Sequence, residues 1–479
     1  MTPDEFRAAA HRAVDWMADY LENVEDRPVR AQVRPGEVFA KLPENPPEQA
    51  ESIDSLFADL DTVIMPGMTH WQHPSFFAYF PANSSPPSVI AEMLTATLGA
   101  QCMSWQTSPA ATELEQRVMM WLRSMLGLPE DFEGVIEDTA STATLCALLS
   151  ARERATGFRG NQRGLPGEGA LTVYCSSECH SSIEKDVMVA GFGRDNLRKI
   201  GVDESYAMRL GELDQAIRDD LAAGRTPVAV VAAIGTTGSS AIDPLREIAE
   251  ICIRHGVWLH VDAAWAGSAL LLPEHRGMVE GIEHADSFVF NPHKWLFTNF
   301  DCSAYFVREP DILLRTLSIL PEYLKTREGD AVRNYRDWGI PLGRRFRALK
   351  LWFVIRSYGV SGLRERIRGH IDMAQRLAGE IRESEDFEPM APTPLALLCL
   401  RYHPSGVDDD RRLDELNERL LELVNDTGAA YLTHTRLNDR FAIRFSIGQT
   451  MTEWRHVEAA WGLLRSTARE LTSEAAETR

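Results

Sequence analysis

A strand-like run, Val257-Trp258-Leu259-His260-Val261-Asp262, ends in a carboxylate. Further on, Phe288-Val289-Phe290 leads into Asn291-Pro292-His293-Lys294-Trp295. A carboxylate or an amine at the end of a buried strand is costly unless a partner faces it, and lysine in particular prefers water. Separately, Asp262 also reads as a helix cap and Lys294 as a side chain reaching the surface. Together they meet one chemical demand. Pyridoxal 5′-phosphate (PLP) needs an amine for a Schiff base and an anion beside its ring nitrogen. Burial and nearby charge would help the lysine lose its proton. The residues after Asp262, Ala263-Ala264-Trp265-Ala266-Gly267-Ser268, are mostly small and would let a flat group approach the backbone.

A phosphate needs donors. Thr139, Ala140 and Ser141 open a helix running through residues 145–152, and N–H groups at a helix start with two hydroxyls make an anion site. The dipole contributes only about 0.3–1 kcal/mol, so hydrogen bonds must dominate. A simple Ser/Thr cap is the alternative, and Asp138 just before the helix counts against an anion. His180, after the strand ending near Cys175, could stack on a flat ring and move a proton, or be structural. Cys175, Cys179 and His180 could suggest a metal, but a structural zinc site needs about four ligands and no second pair lies nearby; no metal is expected.

These residues need a scaffold. Short apolar runs at 171–174, 228–234, 257–261 and 288–290 alternate with amphipathic stretches such as 210–221 and 244–255. Runs buried on both faces and joined by helices predict an α/β fold with a mostly parallel sheet, whose ligands sit at the carboxyl ends of strands. The last third, with strands at 395–402 and 440–445 and helices at 413–424 and 454–471, predicts a smaller α+β unit. The chain should therefore divide into 1–87, 88–350 and 351–479. At the start, Thr2, Pro3 and Glu5 form a capping box. Phe6, Ala10, Val14, Met17, Leu21 and Val24 follow as one apolar stripe, facing its own domain or a second subunit.

The chain has 479 residues, enough for two or three domains. Its net charge of -20 argues against nucleic-acid or membrane partners held by charge. Asp4 and Glu5 stand where an export signal would carry cations, and no run is long enough to span a bilayer, so the expected location is the cytoplasm. The odd count of 7 cysteines fits reduced thiols better than a disulfide framework.

The ordered segments His73-Pro74-Ser75-Phe76-Phe77-Ala78-Tyr79-Phe80-Pro81, Ser108-Pro109-Ala110-Ala111-Thr112-Glu113-Leu114-Glu115, Gly256 to Ala264, Asn291 to Trp295 and Leu342-Gly343-Arg344-Arg345-Phe346-Arg347 carry a family resemblance. The chain resembles the group II PLP-dependent decarboxylases, specifically the aromatic-L-amino-acid decarboxylases, over nearly its whole length. The resemblance implies PLP-dependent fold type I, like aspartate aminotransferase, and a homodimer with active sites at the interface. It implies that Lys294 carries the cofactor and Asp262 pairs with the ring nitrogen. Ala264 would lie under the ring and His180 over it. Thr139, Ala140, Ser141, Asn291 and His293 would surround the phosphate, with Thr237 close by. Tyr323, on a loop at 320–334 that closes over a neighbouring subunit's site, would supply the proton that quenches the carbanion. Trp71, Tyr79, Phe80, Pro81, Ala82, Gln101, Met103 and Gly343 would line the substrate pocket.

Some positions depart from the family pattern. Asp138 stands where a small residue is usual. Ala82 replaces a threonine of the animal enzymes, and Gln101 and Met103 replace bulkier apolar groups. Gly343 matches relatives acting on indolic substrates and tilts the expectation toward tryptophan-like amino acids. The rival readings are an aromatic aldehyde synthase, a decarboxylase of acidic amino acids or histidine, an aminotransferase, and a PLP-fold protein that only binds. Tyr323 and His180 favour plain decarboxylation, the cluster Trp71, Phe77, Tyr79, Phe80 and Trp105 favours a flat side chain, and intact Lys294 and Asp262 argue against a binding module.

Overall fold

The computed structural model describes residues 1–319 and 331–477. By contacts the chain forms two compact units. One comprises 82–375 with 391–398, and the other 1–81, 376–390 and 399–479. The first contains the whole of the expected 88–350 segment, and the second joins N-terminal and C-terminal segments.

The first unit is built on a sheet of β1 (Glu133–Glu137), β2 (Leu171–Ser176), β3 (Leu197–Ile200), β4 (Thr226–Ala233), β5 (Trp258–Asp262), β6 (Ser287–Phe290) and β7 (Ser303–Val307). The order across the sheet is β1-β7-β6-β5-β4-β2-β3. β3, β2, β4, β5 and β6 run parallel, whereas β7 is antiparallel to both β6 and β1. Two reversals cancel, so β1 points the same way as β6. The carboxyl ends of β1, β2, β3, β4, β5 and β6 therefore open at one edge. The expected mostly parallel sheet is present, and its edge gathers the residues singled out for chemistry.

The helix Ala140–Thr156 shows why its sequence has no single apolar stripe. Ala143, Cys146 and Ala147 pack with Val135, Val289 and Tyr305, while Leu148 and Ala151 pack with Val173, Val228 and Trp258. A helix covered on two faces is apolar on two faces. The expected helices at 210–221 and 244–255 are Leu210–Ala222 and Leu245–His255.

In the second unit the first helix is Pro3–Glu22, with the capping box in place: Glu5 N–H donates to Thr2 Oγ1 and Thr2 N–H to Glu5 Oε2. None of its residues is buried. The smaller sheet comprises β8 (Phe387–Pro389), β9 (Leu397–Tyr402), β10 (Thr433–Leu437) and β11 (Arg440–Ser446), in the order β10-β11-β9-β8. The helices Asp410–Asp426 and Trp454–Glu477 accompany it. The helix Arg347–Glu383, broken at Gly359 (φ 66°), was not foreseen in the sequence.

One glycine fixes the exit of β4. Gly235 has φ +83°, and a Cβ there would lie 2.6 Å from Ala266 Cβ. Gly235→Ala should lose about 1–3 kcal/mol from the left-handed backbone, with the overlap added to it. A melting temperature equal to wild type would show that the turn adapts without strain.

Candidate active site

Asp262 ends β5, flanked in register by Ala233 of β4 and Val289 of β6. Its Oδ1 accepts the Ala264 N–H at 3.0 Å. The Ala264 carbonyl in turn accepts the Asn291 N–H at 2.9 Å, tying the exit of β6 to that of β5. Of the small residues after Asp262, only Ala264 is not buried. The others serve packing: a Cβ on Gly267 would sit 2.4 Å from Phe290 Cβ. The flat surface expected along the whole run is thus narrowed to Ala264.

Lys294 lies on the single helical turn Pro292–Trp295. The Asn83 side-chain amide donates to the Lys294 carbonyl at 2.5 Å, and the Asn83 N–H to the His293 carbonyl at 3.0 Å. Trp295 is fully buried, stacked on Trp265 at 4.4 Å, and its Nε1–H donates to His370 Nδ1 at 3.0 Å. The turn is held on both sides of the lysine, so the lysine's backbone position is fixed by its neighbours.

His180 caps the helix Ser181–Val189, its Nδ1 accepting the Ser182 N–H at 3.2 Å and lying 2.8 Å from Ser182 Oγ. An Nδ1 that accepts places the ring proton on Nε2. Its pKa is lowered by desolvation and by the charge of Lys294, while Asp262 acts the other way. The imidazole of His180, the amine and the carboxylate therefore share one electrostatic neighbourhood. His293 Nδ1 accepts the Cys302 N–H at 2.9 Å, and burial, with Lys294 adding to it, pushes its pKa down to about 3. His293 is a neutral ring with an Nε2–H to donate.

The anion end is divided. Thr139 is the N-cap expected as the alternative reading: its Oγ1 accepts the Thr142 N–H at 3.3 Å, and its own N–H donates to Asp138 Oδ1 at 2.6 Å. The N–H groups of Ala140 and Ser141, in the first turn, have no partner within the helix. Asn291 Oδ1 accepts the Ser303 hydroxyl at 2.7 Å, which leaves its amide NH₂ to donate. Thr237 sits in the turn after Gly235, partly exposed. The donor set fits PLP at each end: an amine, a carboxylate for the ring nitrogen, a small residue for the ring face, and neutral N–H and O–H donors for a phosphate.

The pocket residues fall into separate groups. In the second unit, Trp71 stacks on Tyr79 at 5.8 Å, Tyr79 meets Tyr431 edge-on, and the Arg444 guanidinium lies over Phe80, with Pro81 buried. In the first unit, Ala82 is half-buried. Arg344 N–H donates to Gln101 Oε1 at 2.7 Å, and a Cβ on Gly343 would lie 3.2 Å from Gln101 Nε2. Any side chain at 343 must therefore contend with Gln101. Met103 accepts the Arg336 N–H through its carbonyl. Tyr323 lies outside the described residues.

Sequence reasoning missed three supports. Asn83 carries no spacing signal. His260 lies two residues before Asp262, hence on the same face of β5. It is buried between Thr144 Oγ1 (3.1 Å) and Ser287 Oγ (2.8 Å), and burial pushes its pKa down to about 4. Asp186 is a buried acid on the His180 helix, and its Oδ2 has no hydrogen-bond partner. Burial first, and the charge of Asp262 second, raise its pKa to about 7. A lone aspartate in an amphipathic helix reads as a surface residue, so the sequence gives no warning of it.

A doubly wound sheet with a lysine and an aspartate at its carboxyl edge defines a PLP-type enzyme. Residues 35–403 match the family described as the pyridoxal-dependent decarboxylase conserved domain, and the chain belongs to that family. It is 43% identical to tyrosine decarboxylase 4 of Petroselinum crispum, over 99% of this chain and 95% of that one. It is 42% identical to phenylacetaldehyde synthase of Arabidopsis thaliana, over 98% and 96%. It superposes with a TM-score of 0.96 and 38% identity on the crystal structure of Oryza sativa TDC with PLP and tryptamine, covering 98% of this chain and 99% of that one. It is a PLP-dependent carboxy-lyase of fold type I.

Asp186 gives a pH signature. An acid whose folded pKa is raised from 3.8 to about 7 favours folding below the unfolded value. That advantage is lost as pH climbs toward 7, a swing of up to about 4 kcal/mol. In cofactor-free protein, Asp186→Asn should gain stability over wild type by roughly 2 kcal/mol more at about pH 8 than at about pH 5. Melting curves at the two pH values measure this, and a gap that does not move with pH would refute a buried, proton-bearing Asp186.

Proposed function

We propose that this enzyme decarboxylates an aromatic L-amino acid to the arylalkylamine and carbon dioxide, using Lys294 and Asp262 at the carboxyl ends of β6 and β5. The observation that carries it is the electrostatic grouping of Lys294, Asp262 and His180 at one sheet edge in a chain whose relatives are named for aromatic substrates. Lys294 would hold PLP covalently, with Asp262 at the ring nitrogen, Ala264 beneath the ring and His180 above it. Ala140, Ser141, Asn291 and His293 would donate to the phosphate, with Thr139 shaping the helix start and Thr237 nearby. When bound, PLP supplies a protonated ring that accepts the electron pair left by the departing carboxylate.

The chain's own work is orientation and proton control. Asp262 would face the ring nitrogen, and its bond from Ala264 N–H fixes the carboxylate's direction. His293 and His260 stay neutral, so neither competes with Lys294 for Asp262. Tyr323 would deliver the proton that replaces the carboxylate on the substrate's α-carbon. The substrate would be an indole or phenol amino acid, with the tryptophan-like class favoured by the glycine at 343.

The assembly would be a homodimer in the cytoplasm. The helix Pro3–Glu22 has no buried residue and exposes Phe6 and Val14, and the helix Pro86–Leu98 exposes Ile90, Met93, Leu94 and Leu98. Apolar faces of that kind mark interaction surfaces.

Aldehyde synthesis, the activity that names one relative, is the second reading. Incubation with PLP and a panel of amino acids, with products identified by mass, separates the two. Wild type should give amine, and Tyr323→Phe should divert product to aldehyde, ammonia and peroxide with oxygen uptake. Wild-type rates of amine formation without oxygen consumption in that variant would remove Tyr323 from proton delivery. Lys294→Ala should lose multiple turnover, and borohydride should fix a pyridoxyl label at residue 294 in wild type. A label on another lysine would refute the assignment.

A further inference from the structure

The turn that delivers His180 holds a feature that decarboxylation does not use. Cys175, near the end of β2, is fully buried, with Lys199 of β3 and Val231 of β4 beside it in register. The chain then reverses: the Cys179 N–H donates to the Ser176 carbonyl at 3.1 Å, and the Ser177 N–H to the Ile200 carbonyl at 2.8 Å. The reversal brings the half-buried Cys179 back over Cys175, with the two Sγ atoms 2.8 Å apart and both cysteines free. Among the described residues no group of three or more metal-ligating side chains is placed to hold an ion.

We propose that Cys175 and Cys179 form a peroxide-reactive dithiol site that closes to a disulfide next to His180. The side chains already face each other, which is the geometric condition for a bridge, and bonding brings the sulfurs together by roughly 0.8 Å. Cys179 has the access to react first. The Cys175 thiol is held protonated by its bond to Cys179 and by burial, so it acts second. Lys199, itself paired with Glu184 at 2.8 Å, favours thiolate at Cys175, while Asp243 opposes it. Reactive cysteines sit in partly exposed surroundings with a cation close by.

The chemistry balances with a hydroperoxide as oxidant. The Cys179 thiolate attacks one peroxide oxygen, the O–O bond breaks, and the leaving oxygen departs as water or an alcohol with one proton. Cys179 is now a sulfenic acid, oxidised by two electrons, and the peroxide is reduced by two. The Cys175 sulfur attacks the Cys179 sulfur, the S–S bond forms, the S–O bond breaks, and the hydroxyl leaves as water with the Cys175 proton. A reducing thiol reverses the closure.

The consequence for turnover rests on the role proposed for His180. Cys179 is its neighbour in the chain, and closure draws Cys179 toward β2. A shift of a few tenths of an ångström in a group facing the reaction should lower turnover by roughly three- to tenfold, since misplacement by 1 Å costs on the order of a hundredfold.

The test uses the PLP-loaded enzyme treated with hydrogen peroxide, then alkylated and mapped without reduction. The expected result is a peptide spanning 175–179 that is lighter by two hydrogens, unalkylated at both cysteines and restored by dithiothreitol. Turnover should fall and recover in parallel, and Cys179→Ser and Cys175→Ala should lose both responses. The two variants differ in burial, and a melting curve identifies either one that fails to fold. Alkylation of both cysteines after peroxide, or a sulfinic acid on Cys179 without the bridge, would overturn the site. A disulfide with unchanged turnover would leave the redox site standing and overturn its coupling to His180. The mass readout needs no decarboxylation, so it stays decisive if the proposed activity fails.

Discussion

Strand direction is the constraint on which the site depends. A side chain at the end of a strand can cooperate only with others that end at the same edge. Six strands of the large sheet do so, one of them by a double reversal through β7. That arrangement brings a carboxylate, an amine, an imidazole and a helix start from segments far apart in sequence into one neighbourhood. It also explains why the exits are so tightly tied. The backbone bond from Asn291 N–H to the Ala264 carbonyl and the bond from Ala264 N–H to the Asp262 carboxylate leave little freedom to the reactive groups.

Charge at this edge is kept sparse. His260 and His293 are buried and neutral; both ring nitrogens of His260 and the Nδ1 of His293 are held by hydrogen bonds. Asp186 carries a proton near neutrality. In a medium of low polarisability each additional charge would act strongly on Asp262. The protein removes such charges by burial, so that Asp262 shares its neighbourhood chiefly with Lys294 and His180.

Much of this was legible in the sequence because the responsible signals are local. Strand ends at Asp262 and Phe290 are visible as apolar runs followed by polar residues, and the capping box at Thr2 is a spacing rule. The parallel sheet followed from runs buried on both faces. What stayed hidden depends on tertiary contact. The amide of Asn83 supports Lys294 from a distant segment, β7 reverses direction without any sequence mark, and Gly359 interrupts a helix that surrounding contacts continue. Asp138 shows both sides. Its charge was readable as adverse to an anion, but only the fold shows that it takes the Thr139 N–H and leaves Ala140 and Ser141.

β1 is one of the two edge strands, and it pairs with β7 from Glu133 opposite Val307 to Glu137 opposite Ser303. On the ribosome that partner does not yet exist when β1 emerges. At about 5–20 residues per second, β1 waits on the order of ten seconds or more for β7 to be made. Until then the segment leading to Thr139 has no sheet to join, and its apolar face is exposed to the cell's chaperones. The helix start at Thr139 therefore gains its sheet neighbour only once β7 has been made, after β2 to β6.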